Sequence, residues 1–266
     1  MYSNLHVPVK FNLKCRFLIL FFVSLGVSQS ASAQESKSKS GVHHFDGIIT
    51  ATNNGISIIP SFTLGRPAVF FDLSIGGERL SFDPMLRFGM DGKPWTFVFW
   101  GRYKVIKDKR FSLTLGGHPA FLFQEVDMMV LGKPDRMMVA NRYLAGEITT
   151  SYKLSDRVST GIYFLKGTGL KVLGTKNTDF LAWNTSVTNL KLVNELALRV
   201  NSQLFFLRTD DTSGMYFNSG FTFEKGGFPI QFQGFFNRKI KSTVPGDDLV
   251  WNLSLMYTFA NDYKKD

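Results

Sequence analysis

Apolar and polar residues alternate along most of the chain from Gly55 onward. The last alternating segment places apolar residues at every second position, namely Trp251, Leu253, Leu255, Tyr257 and Phe259. A repeat of two residues is that of a β-strand with one apolar face and one polar face. No window of the chain combines a helical apolar stripe with capping residues. The pattern therefore predicts an all-β protein.

Clusters of Gly, Pro, Asn and Asp divide this pattern into twelve predicted strands. They cover residues 55–64, 67–76, 79–89, 94–105, 109–125, 137–153, 157–172, 179–191, 194–208, 214–224, 228–240 and 249–259. Tight connections follow the even-numbered strands, whereas longer ones, such as residues 126–136 and 241–248, follow several odd-numbered strands. An even strand count with short turns at one rim is typical of a transmembrane antiparallel up-and-down β-barrel. We expect the barrel over residues 55–259, after a polar leader at 34–54 and before a tail at 260–266.

The amount of apolar material indicates which way the apolar face points. The chain contains 27 Phe among 266 residues, and 44% of its residues are hydrophobic. Such a quantity would overfill a single soluble core. The opposite faces carry mostly Asn, Gln, Thr, Ser and Gly, whereas soluble surfaces are about a quarter to a third charged. We therefore expect the apolar face to contact lipid, with a soluble exported lipocalin-like binder as the weaker alternative.

The first 33 residues have the pattern of a cleaved secretory signal peptide. A basic region precedes the apolar run at 17–27, and Ala31 and Ala33 supply a small-residue cleavage site. The remaining chain contains no Cys, since the single Cys is Cys15. A disulfide-stapled fold is thereby excluded. Removal of Lys10, Lys14 and Arg16 lowers the formal charge from +10 to +7, and no motif indicates nucleic acid as a partner.

The C-terminal stretch 252–259 resembles the terminal assembly signal of bacterial outer-membrane β-barrel proteins. Tyr257 and Phe259 occupy the two aromatic positions of that signal, and seven residues follow Phe259. The resemblance implies location in the bacterial outer membrane, with outer-membrane lipid and the barrel-assembly machinery as partners. With its Phe-rich strands and the Ser-Ala-Ser-Ala stretch before Gln34, the chain is similar to small barrel proteins of the Bacteroidetes type. No motif identifies a characterised subfamily.

Few residues point to catalysis. His43 and His44 lie in the polar leader, where a solvated pair is the simplest interpretation, and the sequence predicts no metal site and no cofactor. His118, which precedes Pro119 in the fifth predicted strand, is a weak candidate for a general base acting with a strand Ser. No Gly-x-Ser-x-Gly motif supports that role. The sequence favours a non-enzymatic protein and keeps an outer-membrane lipid-acting hydrolase as the alternative.

Charged residues opposite the apolar stripes form the more informative set. They are Asp72, Asp83, Arg87, Arg102, Lys104, Glu147, Lys166, Arg199, Glu224 and Arg238. A lipid-facing Arg or Lys at mid-depth costs about 2 to 4 kcal/mol, so the pattern predicts that these side chains line the lumen. Six bases against four acids fit two hypotheses: a narrow pore for small solutes that favours anions, or a structural barrel plugged by ion pairs.

Overall fold

The computed structural model describes residues 43–130, 133–171 and 173–262, and the predicted signal peptide and the first nine residues of the predicted leader lie outside these residues. Twelve strands make up nearly all of the described chain. Their bounds are β1 His44–Thr52, β2 Ala68–Gly76, β3 Leu80–Gly89, β4 Pro94–Lys107, β5 Phe111–Val130, β6 Lys133–Lys153, β7 Val158–Lys171, β8 Asn177–Val193, β9 Leu196–Thr209, β10 Thr212–Lys225, β11 Ile230–Ser242 and β12 Leu249–Asp262.

The strands form one closed antiparallel barrel in which each strand pairs with its neighbours in sequence and β1 pairs with β12. This arrangement confirms the predicted fold class and strand number. Short connections follow β2, β4, β6, β8 and β10, and we refer to their end of the barrel as the short-turn rim. The opposite end is the long-loop rim. Among the described residues, no helix has the length and hydropathy needed to cross a bilayer.

Strand register places the predicted apolar stripes on the outside of the barrel. On β12, Trp251 and Leu255 are 53% and 55% exposed, whereas Asn252 and Ser254 between them are buried. Residues paired across neighbouring strands share a face, so β1 continues the same division: Ala51 opposite Leu255 points outward and Thr52 opposite Ser254 points inward. The outer surface is thus the apolar one, as a barrel surrounded by lipid requires.

The first strand lies earlier in the chain than the sequence predicted. The barrel begins at His44, eleven residues before the expected start at Gly55. The predicted strand at 55–64 is wrong, because residues 53–67 form a loop that contains a single 3-10 turn, Pro60–Phe62. Strand β1 was hidden in the predicted leader because its alternation is weak: Gly47 and Ala51 on its outer face are small, and Ile48 on its inner face is apolar.

The predicted loop at 126–136 is also wrong. Strands β5 and β6 continue as a two-stranded hairpin to Val130 and Lys133, far beyond the ends of the neighbouring strands. Beyond the barrel wall neither face of this hairpin packs against a core, so its side chains need not alternate in polarity. Exposed methionines consequently occur in adjacent pairs there, as at Met128 and Met129.

Gly161 marks a close approach between β6 and β7. A side-chain carbon at this position would collide with the carbonyl oxygen of Thr150. The Thr150 hydroxyl accepts a hydrogen bond from the backbone N–H of Ile162 (2.9 Å), which replaces a bond of the regular ladder. Only a glycine fits this irregular pairing.

We expect Gly161→Ala to weaken the barrel, because overpacking of this kind costs about 1 to 3 kcal/mol. Folded barrels migrate differently from boiled ones on denaturing gels, so the temperature at which the folded band converts measures the effect. Gly226→Ala is the control, since Gly226 lies in a short turn with open space around it. Equal conversion temperatures for the two variants would contradict the role assigned to Gly161.

Candidate functional site

An ion-pair network crosses five strands inside the barrel. Arg102 on β4 donates from Nε to Glu147 Oε1 on β6 (2.6 Å) and from Nη1 to Asp83 Oδ2 on β3 (2.8 Å). Ser74 on β2 donates to the other oxygen of Asp83 (2.6 Å), and Ser81 donates to Oδ2 (3.0 Å). The Glu147 side chain is only 1% exposed, so it depends on Arg102 for compensation of its charge.

A glycine makes the link between Arg102 and Glu147 possible. Both residues are register partners of Gly116, which lies between them on β5. A side-chain carbon on Gly116 would lie 2.7 Å from Glu147 Oε1. The absence of that carbon lets the two charged groups meet across an intervening strand. Arg102 also lies over the ring of Trp100, with 4.3 Å between the guanidinium carbon and the ring centroid.

Other charges from the predicted set occupy inward-facing positions as well. Arg87 and Asp72 lie 3.9 Å apart, on neighbouring strands β3 and β2. Arg199 on β9 pairs with Glu224 on β10. Lys104 has the inward register of its partner Thr114 but lies exposed close to the short-turn rim. The inward charges therefore form local acid–base pairs rather than a continuous basic lining.

Lys166 and Arg238 do not belong to the lumen. Lys166 has the register of exposed Ile162 and Phe164, and Arg238 pairs with outward-facing Phe217. Both therefore point away from the barrel axis, close to the long-loop rim. The prediction assigned them by polarity and overlooked that each continues the apolar stripe of its strand, as Phe164 does for Lys166 and Phe236 for Arg238. Without Lys166 and Arg238, the predicted lumenal set contains four bases and four acids. It therefore has no basic excess.

The histidines have structural contacts rather than catalytic ones. His118 faces inward and its ring lies 4.0 Å from that of Trp100, between centroids. Among the described residues no hydrogen bond joins His118 to a Ser, and its buried Nδ1 has no partner, so the alternative pairing with a strand Ser is not formed. His44 is part of β1 rather than of a solvated leader, and its Nε2 lies 3.0 Å from Ser74 Oγ.

The lumenal wall formed by β8 to β11 is lined mostly by uncharged polar groups. Gln203 on β9 lies at its centre, donating to Asn184 (2.7 Å) and accepting from Asn218 (2.9 Å). Gln233 on β11 donates to Thr222 on β10 (2.9 Å). These amide and hydroxyl groups bond to one another across strands. Part of their hydrogen-bonding capacity is thus used within the wall.

Towards the long-loop rim, the lumen changes from polar to apolar. One inward cluster lies on β2, β4, β5 and β6 and consists of Ala68, Trp95, Ala120, Leu122 and Tyr143. A second lies on β8, β9 and β10 and consists of Phe180, Ala182, Phe205, Leu207 and Tyr216. Large apolar side chains from both walls therefore fill this end of the barrel.

Residues 53–67, which connect β1 to β2 and which we name the mouth loop, contact both clusters. Phe62 packs against the first cluster, where its carbonyl accepts a bond from Trp95 Nε1 (2.9 Å) and its ring lies 5.3 Å from that of Tyr143. Ile59 packs against the second cluster. The mouth loop thus lies between the two walls. Sequence analysis missed it by treating 55–64 as a strand, although Pro60 and the adjacent pair Ile58 and Ile59 break the alternation.

The β7–β8 connection at the long-loop rim is hydrogen-bonded to β6 and to the β9–β10 turn. The carbonyl of Thr175 accepts a hydrogen bond from the Tyr143 hydroxyl (3.2 Å), and Asp210 accepts bonds from the backbone N–H groups of Lys176 (2.9 Å) and Asn177 (2.8 Å). The hydrogen bond from Lys176, followed by that from Asn177, holds the pKa of Asp210 below its usual range because both stabilise the charged carboxylate. The β7–β8 connection is thereby fastened to the turn between β9 and β10.

No protein-family model and no curated protein sequence matches the chain. Solved structures do: an outer-membrane channel from Pseudomonas putida F1 is 9% identical and has a TM-score of 0.50, with 83% of this chain and 96% of that one covered. The NanC porin is 9% identical, with a TM-score of 0.48 and coverage of 82% and 100%. OmpT, an outer membrane protein of Vibrio cholerae, is 8% identical, with a TM-score of 0.40 and coverage of 82% and 97%. The chain thus has the fold of bacterial outer-membrane β-barrels.

Replacing Arg102 by Met should destabilise the barrel, because Glu147 would keep a buried charge without a partner. Loss of one member of a buried pair costs about 3 kcal/mol. Urea unfolding of the refolded protein in detergent micelles measures the change. The double variant Arg102→Met/Glu147→Gln should recover part of the loss, since it removes the orphaned charge. A double variant no more stable than Arg102→Met alone would contradict this account.

Acidification should weaken the hydrogen bonds that Asp210 accepts from the backbone N–H groups of Lys176 and Asn177. Its pKa in the folded protein lies below the ordinary value of about 4, so the carboxylate contributes stability above that value and loses it as pH falls through the folded pKa. Amide resonances of Lys176 and Asn177, recorded in micelles during an acid titration, should shift with a midpoint below 4. In Asp210→Asn the same amides should not titrate. A wild-type midpoint at or above about 4 would contradict the assignment.

Proposed function

We propose that this protein is an outer-membrane barrel whose mouth is closed by its own β1–β2 loop, so that it acts as a plugged structural barrel rather than as an open pore. The observation that carries this proposal is the contact of the mouth loop with the apolar clusters on both walls. The long-loop rim then faces outside the cell and the short-turn rim faces the periplasm, as in other barrels of this kind.

Burial at the mouth supports the closed state. Trp95 and Phe205 are 3% and 1% exposed although both point into the barrel. Apolar side chains in an open aqueous pore would be in contact with water, at a cost of about 25 cal/mol for each Å². Packing against the mouth loop and the opposite wall removes that cost. Solvent passage would require the loop to leave and expose both clusters.

Charge pairing supports the same proposal. With Lys166 and Arg238 outside the barrel, no basic excess remains in the predicted lumenal set to favour anions. Arg102 is held by Asp83 and Glu147, so a passing ion would have to compete with partners already in place. A selective pore keeps its charged groups available to the solute instead.

Closure of the β1–β12 seam fits the proposed assembly signal. Phe259 lies opposite Gly47 on β1, and a side-chain carbon at Gly47 would lie 2.5 Å from the Phe259 ring. The ring therefore covers the space that the glycine leaves. Phe45 adds a second ring at 5.4 Å between centroids. Recognition of Tyr257 and Phe259 by the barrel-assembly machinery remains part of the proposal, with outer-membrane lipid as the surroundings.

Planar-bilayer recordings test whether the mouth is closed. We expect the purified, refolded protein to give no steady conductance. A variant in which residues 57–64 are replaced by a short Gly-Ser linker should conduct in discrete steps, because it lacks Phe62 and Ile59 between the walls. Steady steps of equal size in both proteins would refute the closed barrel and favour the narrow solute pore.

A disulfide lock provides the matched control. The hydroxyl oxygens of Ser61 in the mouth loop and Thr175 in the β7–β8 connection are 3.4 Å apart. Because the exported chain is predicted to lack cysteine, Ser61→Cys/Thr175→Cys introduces a single pair. Under conditions that provoke rare openings in the wild type, the oxidised pair should abolish them and reduction should restore them. Openings that persist after oxidation would show a path that does not involve the mouth loop.

A further inference from the structure

On β7 and β9, the outward-facing charges lie close to the long-loop rim. The outward-facing positions of β7 and β9 are uncharged from the short-turn rim up to Lys166 and Arg208, respectively. Exposed apolar side chains fill the intervening band and include Ile148, Ile162, Phe164, Leu181, Trp183, Phe206, Phe221 and Phe232. The first charges above this band therefore mark the boundary between hydrocarbon and lipid headgroups.

Four outward-facing bases occur at this boundary, and we name them the basic arc: Arg142, Lys166, Arg208 and Arg238. Each lies in the half of its strand nearest the long-loop rim, on β6, β7, β9 and β11. Their register partners on the outer face include Phe121 for Arg142 and Phe217 for Arg238. The bases thus project from an apolar wall towards the membrane rather than into the lumen.

The basic arc occupies only part of the circumference. The outward-facing positions of β12 and of β1 to β4, within the described ranges, hold uncharged side chains such as Phe71, Phe99 and Trp251. A general need for polarity at the headgroup level would place charges around the whole barrel. The bases instead cluster on one side, from β6 to β11.

Lys166 and Arg208 share one acid. Asp179 on β8 accepts from Lys166 Nζ at 3.2 Å and from Arg208 Nη2 at 2.5 Å. One carboxylate cannot neutralise two cations, so this triad keeps a net positive charge. The side chains of Lys166 and Arg208 are 71% and 57% exposed, which leaves their remaining donors accessible.

Next to the triad lies a cleft of about 670 Å³, which it shares with residues of the β7–β8 connection and the β9–β10 turn. Lys176 adds a base, while Asp210 and Asp211 add acids. The carboxylate of Asp210 is already occupied by the backbone N–H groups of Lys176 and Asn177. The residues that line the cleft are therefore balanced in charge, with three bases and three acids. The positive excess of the basic arc comes from Arg142 and Arg238.

Arg142 and Arg238 are exposed, and in the part of the chain that the structure describes neither has an acid within ion-pair distance. A guanidinium at the edge of an apolar wall needs an anionic partner or water. Phosphate is the anion that its planar set of donors matches best. Membrane lipids carry phosphate at the level where these arginines lie.

We infer that the basic arc binds the phosphate groups of anionic lipids in the leaflet at the long-loop rim. Arg142 and Arg238 contact the headgroups as unpaired guanidinium groups at the two ends of the arc. Lys166 and Arg208 contact them with the donors that Asp179 leaves free. The inference rests on the proposed membrane location and is independent of whether the mouth is closed.

Native mass spectrometry of the refolded full chain in detergent micelles tests this inference. The probes are lipid A with two phosphates and the same glycolipid after enzymatic removal of both. We expect the wild type to retain the phosphorylated probe and to lose the other. Arg142→Gln/Arg238→Gln should weaken binding of the phosphorylated probe by about a hundredfold, since each of the two charged contacts contributes roughly tenfold. Lys166→Gln/Asp179→Asn/Arg208→Gln should weaken it as well.

Lys153→Gln/Lys191→Gln is the control, because it removes two exposed bases at the short-turn rim. This variant should bind like the wild type. Equal retention of both probes would overturn the inference and assign binding to the apolar band alone. Complete displacement of the lipid by millimolar inorganic phosphate would also overturn it, in favour of a site for free anions. A heat-modifiable band for every variant shows that each is folded, so a failed barrel is distinguishable from a failed lipid site.

Discussion

Pairing of β1 with β12 is the constraint on which the rest of the structure depends. A strand edge exposed to hydrocarbon would leave a row of backbone donors and acceptors without partners, and only a closed sheet avoids this. Closure in turn gives every strand an inside and an outside. The ring of Phe259 over Gly47 lies at the seam where that division begins.

Two different solutions fill the interior that closure creates. In the part lined by β2 to β6, Arg102 reaches across Gly116 to Glu147, and Asp83 completes the pairing. At the mouth, apolar clusters on opposite walls meet the mouth loop instead. Polar groups bonded to one another and apolar groups shielded from water both occupy space inside the barrel, which supports the proposed plugged barrel.

Much of the fold followed from the sequence. Alternation and turn residues predicted eleven of the twelve strands, their order and the outward direction of Trp251 and Leu255, because lipid on one side enforces a period of two. The pattern failed in three places: small outward residues and the inward-facing Ile48 weaken the alternation of β1, the β5–β6 hairpin extends beyond the wall, and the apolar residues of 55–64 face the interior from a loop.

The antiparallel barrel with an apolar exterior follows from the sequence, since the alternation of apolar and polar residues is a local property of each strand. The pairing of the charges depends instead on how the strands are aligned in three dimensions. Lys166 and Glu147 look equivalent in sequence, yet one lies outside beside Asp179 and the other inside beside Arg102. The reason is that a shift of one residue in register moves a side chain through the wall, and register depends on pairing between strands distant in sequence.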